Sequence, residues 1–434
     1  MTQQDHRQRR NPDARRSSRW SGSAGLIGLQ ILAFGLPLLT LPILSRGLGI
    51  TGFGELMLAQ SLALLVALFV DAGLNAESQR QVSSSEQPAE QCQYLWANLM
   101  VRSGLALLAT LLLIVLNMLF DWVNPALLAV SLLQVVGTLA FPQWWLIATG
   151  HGLMMGVSLV LGRLVSALAV WLWVSDPSDL WWASLALSSS SLLAGLLLWR
   201  QVWQPLWQYH HTYQTAQARR FFQRVRPMLF SAFFAQMSSN LPVVALGQWQ
   251  TLRQVGLFSA AERLVRAAAH LSTYVEQIVL SRLAQPDLTR IQQRFWQRRA
   301  LWLLAAGLLI GGLLGQWLAM PVLVFLYGEA FTTAVPIFRV LLLWLMLLIF
   351  RRAWLMWTWV LDAQLHRIAR LQWLETVLVS SAAVVGAIYY GGLGVAWLLC
   401  VSEVVLLCYI CIVQYRPQKS LTKQPTPHQD TQKT

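Results

Sequence analysis

The chain has 434 residues, of which 56% are hydrophobic and only 12% are charged. A soluble protein of this length carries roughly twice that charged fraction, so the composition excludes an ordinary soluble multidomain protein. The formal net charge is +14, but the basic residues lie in short tracts between apolar segments, which is typical of loops that contact anionic lipid and argues against nucleic acid as a partner.

Apolar runs long enough to cross a bilayer core follow one another along almost the whole chain. Their continuous hydrophobicity favours helices, because the strands of a membrane barrel would be about ten residues long and alternating. We therefore predict an all-α polytopic membrane protein with about twelve transmembrane helices. The predicted spans are 23–44, 53–70, 94–118, 126–148, 153–174, 180–199, 227–247, 255–280, 301–320, 334–350, 372–390 and 393–413.

The arginines predict the orientation of these spans. The N-terminal tail, the loops 201–226 and 281–300, and the segment that begins with Arg351 hold most of them, whereas the opposite loops retain only Arg46 and Arg253. The positive-inside rule then places both termini in the cytoplasm. The outside loops are short, so the sequence predicts no external domain that could hold an active site.

The predicted organisation has five parts, two of which are lobes of six helices. The first predicted span, 23–44, is too long for the apolar region of a cleaved signal peptide, so we expect it to be retained. The parts are a basic cytoplasmic tail (1–22), an N-terminal lobe (23–200), a cytoplasmic amphipathic linker (201–226), a C-terminal lobe (227–414) and a second cytoplasmic tail (415–434).

The two predicted lobes share a short internal repeat at the start of their second helices. The matching positions are 202 residues apart and pair Gly54, Ala59 and Leu62 with Gly256, Ala261 and Leu264. Because six spans separate the two copies, both copies cross the membrane in the same direction. The pattern predicts a parallel repeat about an axis along the membrane normal, with a cavity between the lobes.

Short motifs built on glycine and proline fall in order between residues 23 and 413. They are Leu44-Ser45-Arg46-x-Leu48-Gly49 with Phe53-Gly54, Asp71-Ala72-Gly73-Leu74-Asn75, Pro142-x-Trp144 with Gly150, Val255-Gly256-Leu257-Phe258-Ser259-Ala260-Ala261-x-Arg263-Leu264, Tyr327-Gly328-x-x-Phe331, and Gly391-Gly392-x-Gly394. In their order and spacing these motifs resemble those of the polysaccharide biosynthesis flippases, in the multidrug/oligosaccharidyl-lipid/polysaccharide exporter superfamily.

The resemblance implies two six-helix bundles around a central cavity that opens alternately to each side. It implies a bacterial inner-membrane flippase whose cargo is a polyprenyl-pyrophosphate-linked oligosaccharide, for O-antigen, capsule or exopolysaccharide assembly. Membrane lipids, a glycan polymerase and a chain-length regulator are the expected partners. The chain has no Gly-x-x-x-x-Gly-Lys-Ser/Thr loop and no complete set of metal ligands, so we expect no cofactor, no metal and no enzymatic activity.

Charged side chains within the predicted spans are the main evidence for a site. Each central Arg costs about 2.5–3.5 kcal/mol in lipid, so such residues face a partner or a wet cavity. Arg163 and Arg266 lie near the predicted midplane, and a guanidinium group binds phosphate bidentately. They are the main candidates for binding an anionic cargo. The further substrate-binding candidates are Arg102, Arg263, Arg339, Gln236 and Asn240.

The eighth predicted span presents Glu262, Arg266 and His270 on one helix face, because they are four residues apart. A buried carboxylate and an imidazole can exchange protons near neutral pH, so Glu262 and His270 are candidates for ion coupling. The alternative is an internal Glu262–Arg266 ion pair that packs the bundle, with transport driven by the membrane potential alone.

Three other functions compete with glycan export. A drug or cation antiporter of the same superfamily would favour acidic and aromatic residues in its cavity, and a peptidoglycan-precursor flippase is expected to have fourteen helices. A membrane glycan polymerase or ligase would need an extended outside loop for its catalytic residues, and the sequence predicts none.

Overall fold

The computed structural model describes residues 12–71, 73–210, 213, 215–284, 289–360 and 365–415, and these form helices and short connections without a β-strand. The prediction of an all-α membrane protein is confirmed. The helices of the first half are α1 (Pro12–Asp71), α2 (Leu74–Ser84), α3 (Pro88–Phe120), α4 (Pro125–Ser131), α5 (Leu133–Ala140), α6 (Gln143–Ala148), α7 (Gly152–Trp173), α8 (Leu180–Leu197) and α9 (Trp199–Gln208). Those of the second half are α10 (Thr215–Trp249), α11 (Leu252–Leu283), α12 (Arg290–Tyr327), α13 (Val335–Leu355), α14 (Leu365–Tyr389) and α15 (Gly391–Tyr415).

The predicted count of twelve spans is not confirmed. Nine segments in the part of the chain that the structure describes are long and apolar enough to cross a membrane. The first two predicted spans both lie on α1, before and after a break at Gly49, and α1 contributes to only one of the nine. Neither α10 nor α11 is among the nine. α11 carries several charged side chains along one face, and a helix that lines a polar cavity is less apolar than one surrounded by lipid.

A break at Gly49 divides α1 between the first and second predicted spans. Gly49 has φ 67° and ψ 179°, a backbone conformation that glycine adopts readily and that other residues avoid because of their Cβ atom. The helix therefore changes direction here without forming a loop. Pro37 and Pro42 lie in the portion before this break, where each removes one backbone hydrogen bond.

The fourth predicted span, 126–148, is divided into the short helices α4, α5 and α6. The break between α5 and α6 falls at Phe141 and Pro142, which have non-helical backbone angles. Proline has no N–H to donate and disfavours a helical conformation in the residue before it. The helix is therefore fully interrupted at Pro142 and not merely kinked.

Within the first half, α7 packs against α8 and α1, and α5 packs against α8. Within the second half, α14 packs against α10 and α15, and α13 packs against α15 and α12. The two halves meet where α1 contacts α10 and α11. The largest apolar core spans this contact and includes Phe53 and Met57 from α1 with Val255 and Phe258 from α11.

The outer surface of the helices is rich in large apolar side chains. Trp302 and Phe325 on α12 are 77% and 79% exposed, which suits side chains that contact lipid. The predicted linker 201–226 includes most of α9, which buries Val202 and Leu206 and exposes Trp207. This helix is therefore amphipathic, as predicted, and the division of the chain into lobes at this linker stays a prediction.

Candidate substrate cavity

Two glycines allow α1 and α11 to cross at very short distance. A Cβ atom on Gly54 would overlap the carbonyl oxygen of Leu252, and a Cβ atom on Gly256 would overlap the carbonyl oxygen of Ile50. Gly54 and Gly256 are 202 positions apart, and so are Ile50 and Leu252. The two copies of the sequence repeat thus contact each other reciprocally, as an axis between the two halves requires. We call this contact the glycine junction.

Aromatic rings and main-chain hydrogen bonds reinforce the same end of the molecule. The ring centroid of Phe53 lies 6.0 Å from that of Tyr327 and 5.8 Å from that of Phe331. Arg46 Nη2 donates to the carbonyl oxygen of Phe325 at 2.9 Å, and the Tyr327 hydroxyl donates to that of Ala260 at 2.9 Å. These contacts join α1 to α12 and α12 to α11 beside the glycine junction.

A cavity of about 440 Å³ begins within one turn of the glycine junction. This volume is within the range of about 300–1,000 Å³ that is usual for small-ligand sites. α1, α5, α7, α8, α10 and α11 supply its lining, and among the residues that the structure describes none of the lining side chains is Phe, Tyr or Trp. The lining residues are Pro37, Leu38, Thr40, Leu41, Met57, Gln60, Ser61, Leu64, Gln134, Arg163, Ser166, Leu187, Ser190, Ser191, Asn240, Val243, Ser259, Glu262, Arg263, Arg266, Ala267 and His270.

Three guanidinium groups line this cavity. Arg163 enters from α7 in the first half, and Arg263 and Arg266 enter from α11 in the second half. The lining contributed by the described residues contains one carboxylate, that of Glu262. The formal charges of these four side chains therefore sum to +2, which makes the cavity electropositive.

The three cations differ in their hydrogen bonds. Arg266 Nη2 lies 2.6 Å from Glu262 Oε1, and Arg163 Nη1 donates to the carbonyl oxygen of Ala33 on α1. Among the described residues, no side chain or carbonyl accepts a hydrogen bond from Arg263, which also has no carboxylate within ion-pair distance. Arg263 is half-buried. Of the three lining cations, its guanidinium group has the most N–H donors without an acceptor among the described residues.

The structure brings most of the predicted site residues to this one cavity. Those that line it are Arg163, Arg263, Arg266, Asn240, Glu262 and His270. Gln236 lies on α10, but its side chain is outside the described residues. Glu262, Arg266 and His270, which were predicted to share one face of the eighth span, therefore all line the cavity. Glu262 and Arg266 also form the ion pair that the alternative prediction describes.

Two predicted substrate-binding residues lie away from the cavity lining. Arg102 on α3 is 1% exposed, forms an ion pair with Asp71 and donates to the carbonyl oxygen of Thr138 at 3.1 Å. Asp71 thus neutralises Arg102 within the first half. Arg339 is exposed on α13. Neither belongs to the site as the structure arranges it.

A set of neutral polar side chains on the cavity wall of the first half was missed by sequence reasoning. Gln60 and Ser61 come from α1, Gln134 from α5, and Ser190 and Ser191 from α8. One available signal was the run of four serines at 188–191 in an otherwise apolar helix. Hydroxyl and amide groups are weaker indications of a site than charges, because placing them in a membrane helix costs less free energy.

Hydrogen bonds hold part of this neutral wall in place. Gln60 Nε2 donates to Ser188 Oγ at 2.9 Å and to Ser184 Oγ at 3.4 Å. Ser184 Oγ in turn lies 2.9 Å from Ser131 Oγ on α4. This Gln60 network joins α1, α4 and α8, and all four of its residues are buried.

The second half contains a buried ionic cluster that does not line the cavity. Arg351 on α13 is 2% exposed; its Nη2 lies 2.6 Å from Glu375 Oε1, and its Nε lies 2.5 Å from Glu403 Oε2. The predicted orientation put Arg351 at the start of a cytoplasmic segment, but the structure places it among three helices, α13, α14 and α15. We call this cluster the Arg351 triad.

Comparisons with known proteins identify the family of the chain and proteins that share its fold. Residues 20–280, more than half of the chain, match the profile of the family described as "Polysaccharide biosynthesis protein". A protein of Escherichia coli (strain K12), provisionally named an O-antigen transporter, is 25% identical over 252 residues, which are 57% of this chain. The match spans 61% of that relative's length.

Two solved structures share the fold at low sequence identity. The lipid II flippase MurJ, in an inward closed conformation, superposes with a TM-score of 0.72 at 12% identity, over 90% of this chain and 87% of that one. An inward-facing multidrug resistance transporter of the MATE family, in the MOP superfamily, gives a TM-score of 0.65 at 13% identity, over 90% and 96%. The architecture is therefore that of a MurJ- or MATE-like transporter.

Proposed function

The chain belongs to the polysaccharide biosynthesis protein family, and from that membership we propose that it is a flippase for polyprenyl-pyrophosphate-linked oligosaccharides. In this proposal the protein lies in the bacterial inner membrane with both termini in the cytoplasm. It moves its cargo from the cytoplasmic to the periplasmic leaflet for O-antigen, capsule or exopolysaccharide synthesis. It carries out transport and no chemical reaction, and a polymerase and a chain-length regulator act on the delivered glycan.

The observation that supports this function best is the convergence of Arg163, Arg263 and Arg266 from both halves on one cavity with a single described carboxylate. Such a cavity attracts anions, and guanidinium groups bind phosphate oxygens with paired hydrogen bonds. The pyrophosphate of a lipid-linked glycan has the required charge. We propose Arg263 as the main residue that binds the pyrophosphate, because its N–H donors form no hydrogen bond within the described part of the chain.

The glycine junction suggests how access to the cavity is controlled. The junction lies on the side of the predicted outside loops, so in the proposed orientation the periplasmic end is closed. Cargo would then enter from the cytoplasmic side. Release would require α1 and α11 to separate at Gly54 and Gly256, while a rearrangement elsewhere closes the cytoplasmic side.

Glu262, Arg266 and His270 remain our candidates for ion coupling. The Glu262–Arg266 ion pair leaves Arg266 partly neutralised in this state. If a proton is exchanged for the cargo, Glu262 and His270 would carry it, because the Arg266 guanidinium is freed or paired as Glu262 gains or loses that proton. In the competing proposal the membrane potential alone drives export, with about 2.3 kcal/mol per negative charge per 100 mV.

A drug or cation antiporter is the second candidate function, because the fold is shared with a MATE-family transporter. Cationic drugs are recognised by carboxylates and by the faces of aromatic rings. The described cavity lining has one carboxylate, which is already paired, and no aromatic ring. These features favour the anionic cargo.

Replacement of the lining arginines tests the proposed function. We expect Arg263→Gln to slow the appearance of lipid-linked glycan in the outer leaflet of proteoliposomes by about tenfold to a hundredfold, since one charge-assisted hydrogen bond contributes about 1.5–3 kcal/mol. Arg163→Gln should act in the same direction. Translocation is measured as the fraction of glycan that becomes accessible to an added glycosidase.

Arg339→Gln is the matched control, because Arg339 is exposed on α13 and does not line the cavity. This variant should translocate glycan at the wild-type rate. Equal rates for all three variants would contradict the anion site. Wild-type protein that exports a cationic dye and leaves lipid-linked glycan in place would favour the antiporter.

A further inference from the structure

The internal repeat places equivalent residues of the two halves in the lining of the cavity, one set on α1 and the other on α11. Like Gly54 and Gly256, the pairs of lining residues on α1 and α11 are 202 positions apart. The paired positions are Met57 with Ser259, Gln60 with Glu262, Ser61 with Arg263, and Leu64 with Arg266. The same structural positions are therefore uncharged in the first half and mostly charged in the second.

The uncharged wall has hydrogen-bonding capacity that the protein itself does not use. Within the described part of the chain, the side chains of Ser61 and Gln134 make no hydrogen bond, and nor does that of Ser191. Gln60 donates through Nε2 to the two serines of its network, while its Oε1 accepts no hydrogen bond from any described residue. We call these four residues the hydroxyl–amide wall.

Hydroxyl and amide groups both donate and accept hydrogen bonds, as sugar hydroxyls do. A polar group that leaves water without a partner is destabilised, so a buried sugar ring needs such neighbours around it. The described lining has no aromatic ring, so hydrogen bonds rather than ring stacking would recognise the sugar.

We propose that the hydroxyl–amide wall is a subsite for the hydroxyl groups of the cargo's sugar residues, and that the arginine-bearing wall of α11 takes the pyrophosphate. This inference rests on the proposed flippase function and adds a substrate class to it. In this proposal the subsite takes the sugars that adjoin the lipid pyrophosphate. The cavity, at about 440 Å³, surrounds this proximal part of the glycan and leaves the remainder outside.

The test compares two probes on full-length protein in nanodiscs, namely undecaprenyl pyrophosphate and the same lipid carrying a neutral trisaccharide. We expect wild-type protein to bind the trisaccharide lipid more tightly. The double variant Ser61→Ala/Gln134→Met should bind the trisaccharide lipid roughly tenfold more weakly, the effect expected for two neutral hydrogen bonds. Its affinity for undecaprenyl pyrophosphate should stay that of the wild type.

Two further variants separate binding from folding. Ser61→Thr keeps the hydroxyl group and should retain the wild-type preference for the trisaccharide lipid. Ser189→Ala is the matched control, because Ser189 belongs to the same serine run, donates to the carbonyl oxygen of Ala186 and does not line the cavity. Thermal unfolding of each variant establishes that the two probes are compared on folded protein.

The outcomes distinguish this inference from the proposed function. Equal wild-type affinity for the two probes would overturn the sugar subsite and leave the flippase proposal standing. Equal weakening of both probes by the double variant would also overturn it, because the residues would then have a structural role. Failure of wild-type protein to bind either probe would overturn the proposed function, and the subsite with it.

Discussion

The helices that pack near the cavity are joined by neutral groups in the first half and by ions in the second. The Gln60 network joins α1, α4 and α8 through an amide and three hydroxyls. The Arg351 triad joins α13, α14 and α15 through one guanidinium and two carboxylates. The first half has an ion pair of its own, Asp71–Arg102, in which Asp71 is 31% exposed, much as Glu375 of the triad is 29% exposed. The triad differs by its second carboxylate, that of Glu403, which is 1% exposed.

This difference indicates how each half can respond when the halves separate. Serine hydroxyls and an amide exchange partners at small cost, because the unpaired groups find others nearby. An arginine held between two carboxylates in a low-dielectric interior has no comparable alternative. We therefore expect α13, α14 and α15 to move as one unit and the helices around Gln60 to adjust to the cargo.

The largest effect in this comparison is expected when the Arg351 triad loses its cation. Arg351→Met leaves the buried carboxylate of Glu403 and the partly exposed one of Glu375 without their positive partner, so we expect a loss of about 3–5 kcal/mol of stability. Unfolding in detergent with increasing temperature or denaturant measures this loss. Arg339→Met on the same helix should change the stability by no more than about 0.5 kcal/mol, because Arg339 is exposed. Similar losses for both variants would remove the contrast between the halves.

A smaller effect is expected at the glycine junction, which connects the two halves. Gly256→Ala introduces a methyl group against the carbonyl oxygen of Ile50, so we expect a cost of about 1–3 kcal/mol from overpacking. In contrast, Gly311→Ala on α12 meets no atom within 4 Å and should be neutral or stabilising by up to about 1 kcal/mol. The same unfolding measurements compare the two variants. Equal behaviour would show that α1 and α11 are not in close contact in the membrane.

The smallest effect is expected in the Gln60 network. Gln60→Leu removes the hydrogen bonds to Ser184 and Ser188, and we expect it to cost about 0.6 kcal/mol, the average for hydrogen bonds between membrane helices. Both serines can then donate to carbonyl oxygens of their own helix, as Ser190 does to Leu187 at 3.0 Å. A loss as large as that of Arg351→Met would mean that the first half is as rigidly joined as the second.

Much of the architecture could be predicted from hydropathy and charge. The eleven predicted spans from 53–70 to 393–413 each lie on a helix or on a set of short helices. The remaining span, 23–44, lies on α1, as 53–70 does. The number of apolar crossings was harder to predict, because α11 combines a membrane-spanning length with a polar face. The repeat at Gly54 and Gly256 was visible in the sequence, but only the tertiary structure shows that its two copies contact each other reciprocally.

The candidate site was predictable where a charge lay deep in an apolar run. Arg163 and Arg266 satisfied that condition, and both line the cavity. Arg102 satisfied it equally well and is instead neutralised by Asp71. The hydroxyl–amide wall had no comparable signal, because serine and glutamine occur in membrane helices for packing as well as for binding.

By itself, the sequence determined that this chain crosses a bilayer as helices and that its intramembrane arginines must avoid lipid. The cost of a charge in hydrocarbon depends on the residue and its depth, and both can be read from one chain. Only the tertiary structure decided which partner each charge takes: Asp71 for Arg102, two glutamates for Arg351, and an open cavity for Arg263. Partners are set by distances between helices far apart in the sequence, and a single helix carries no information about those distances.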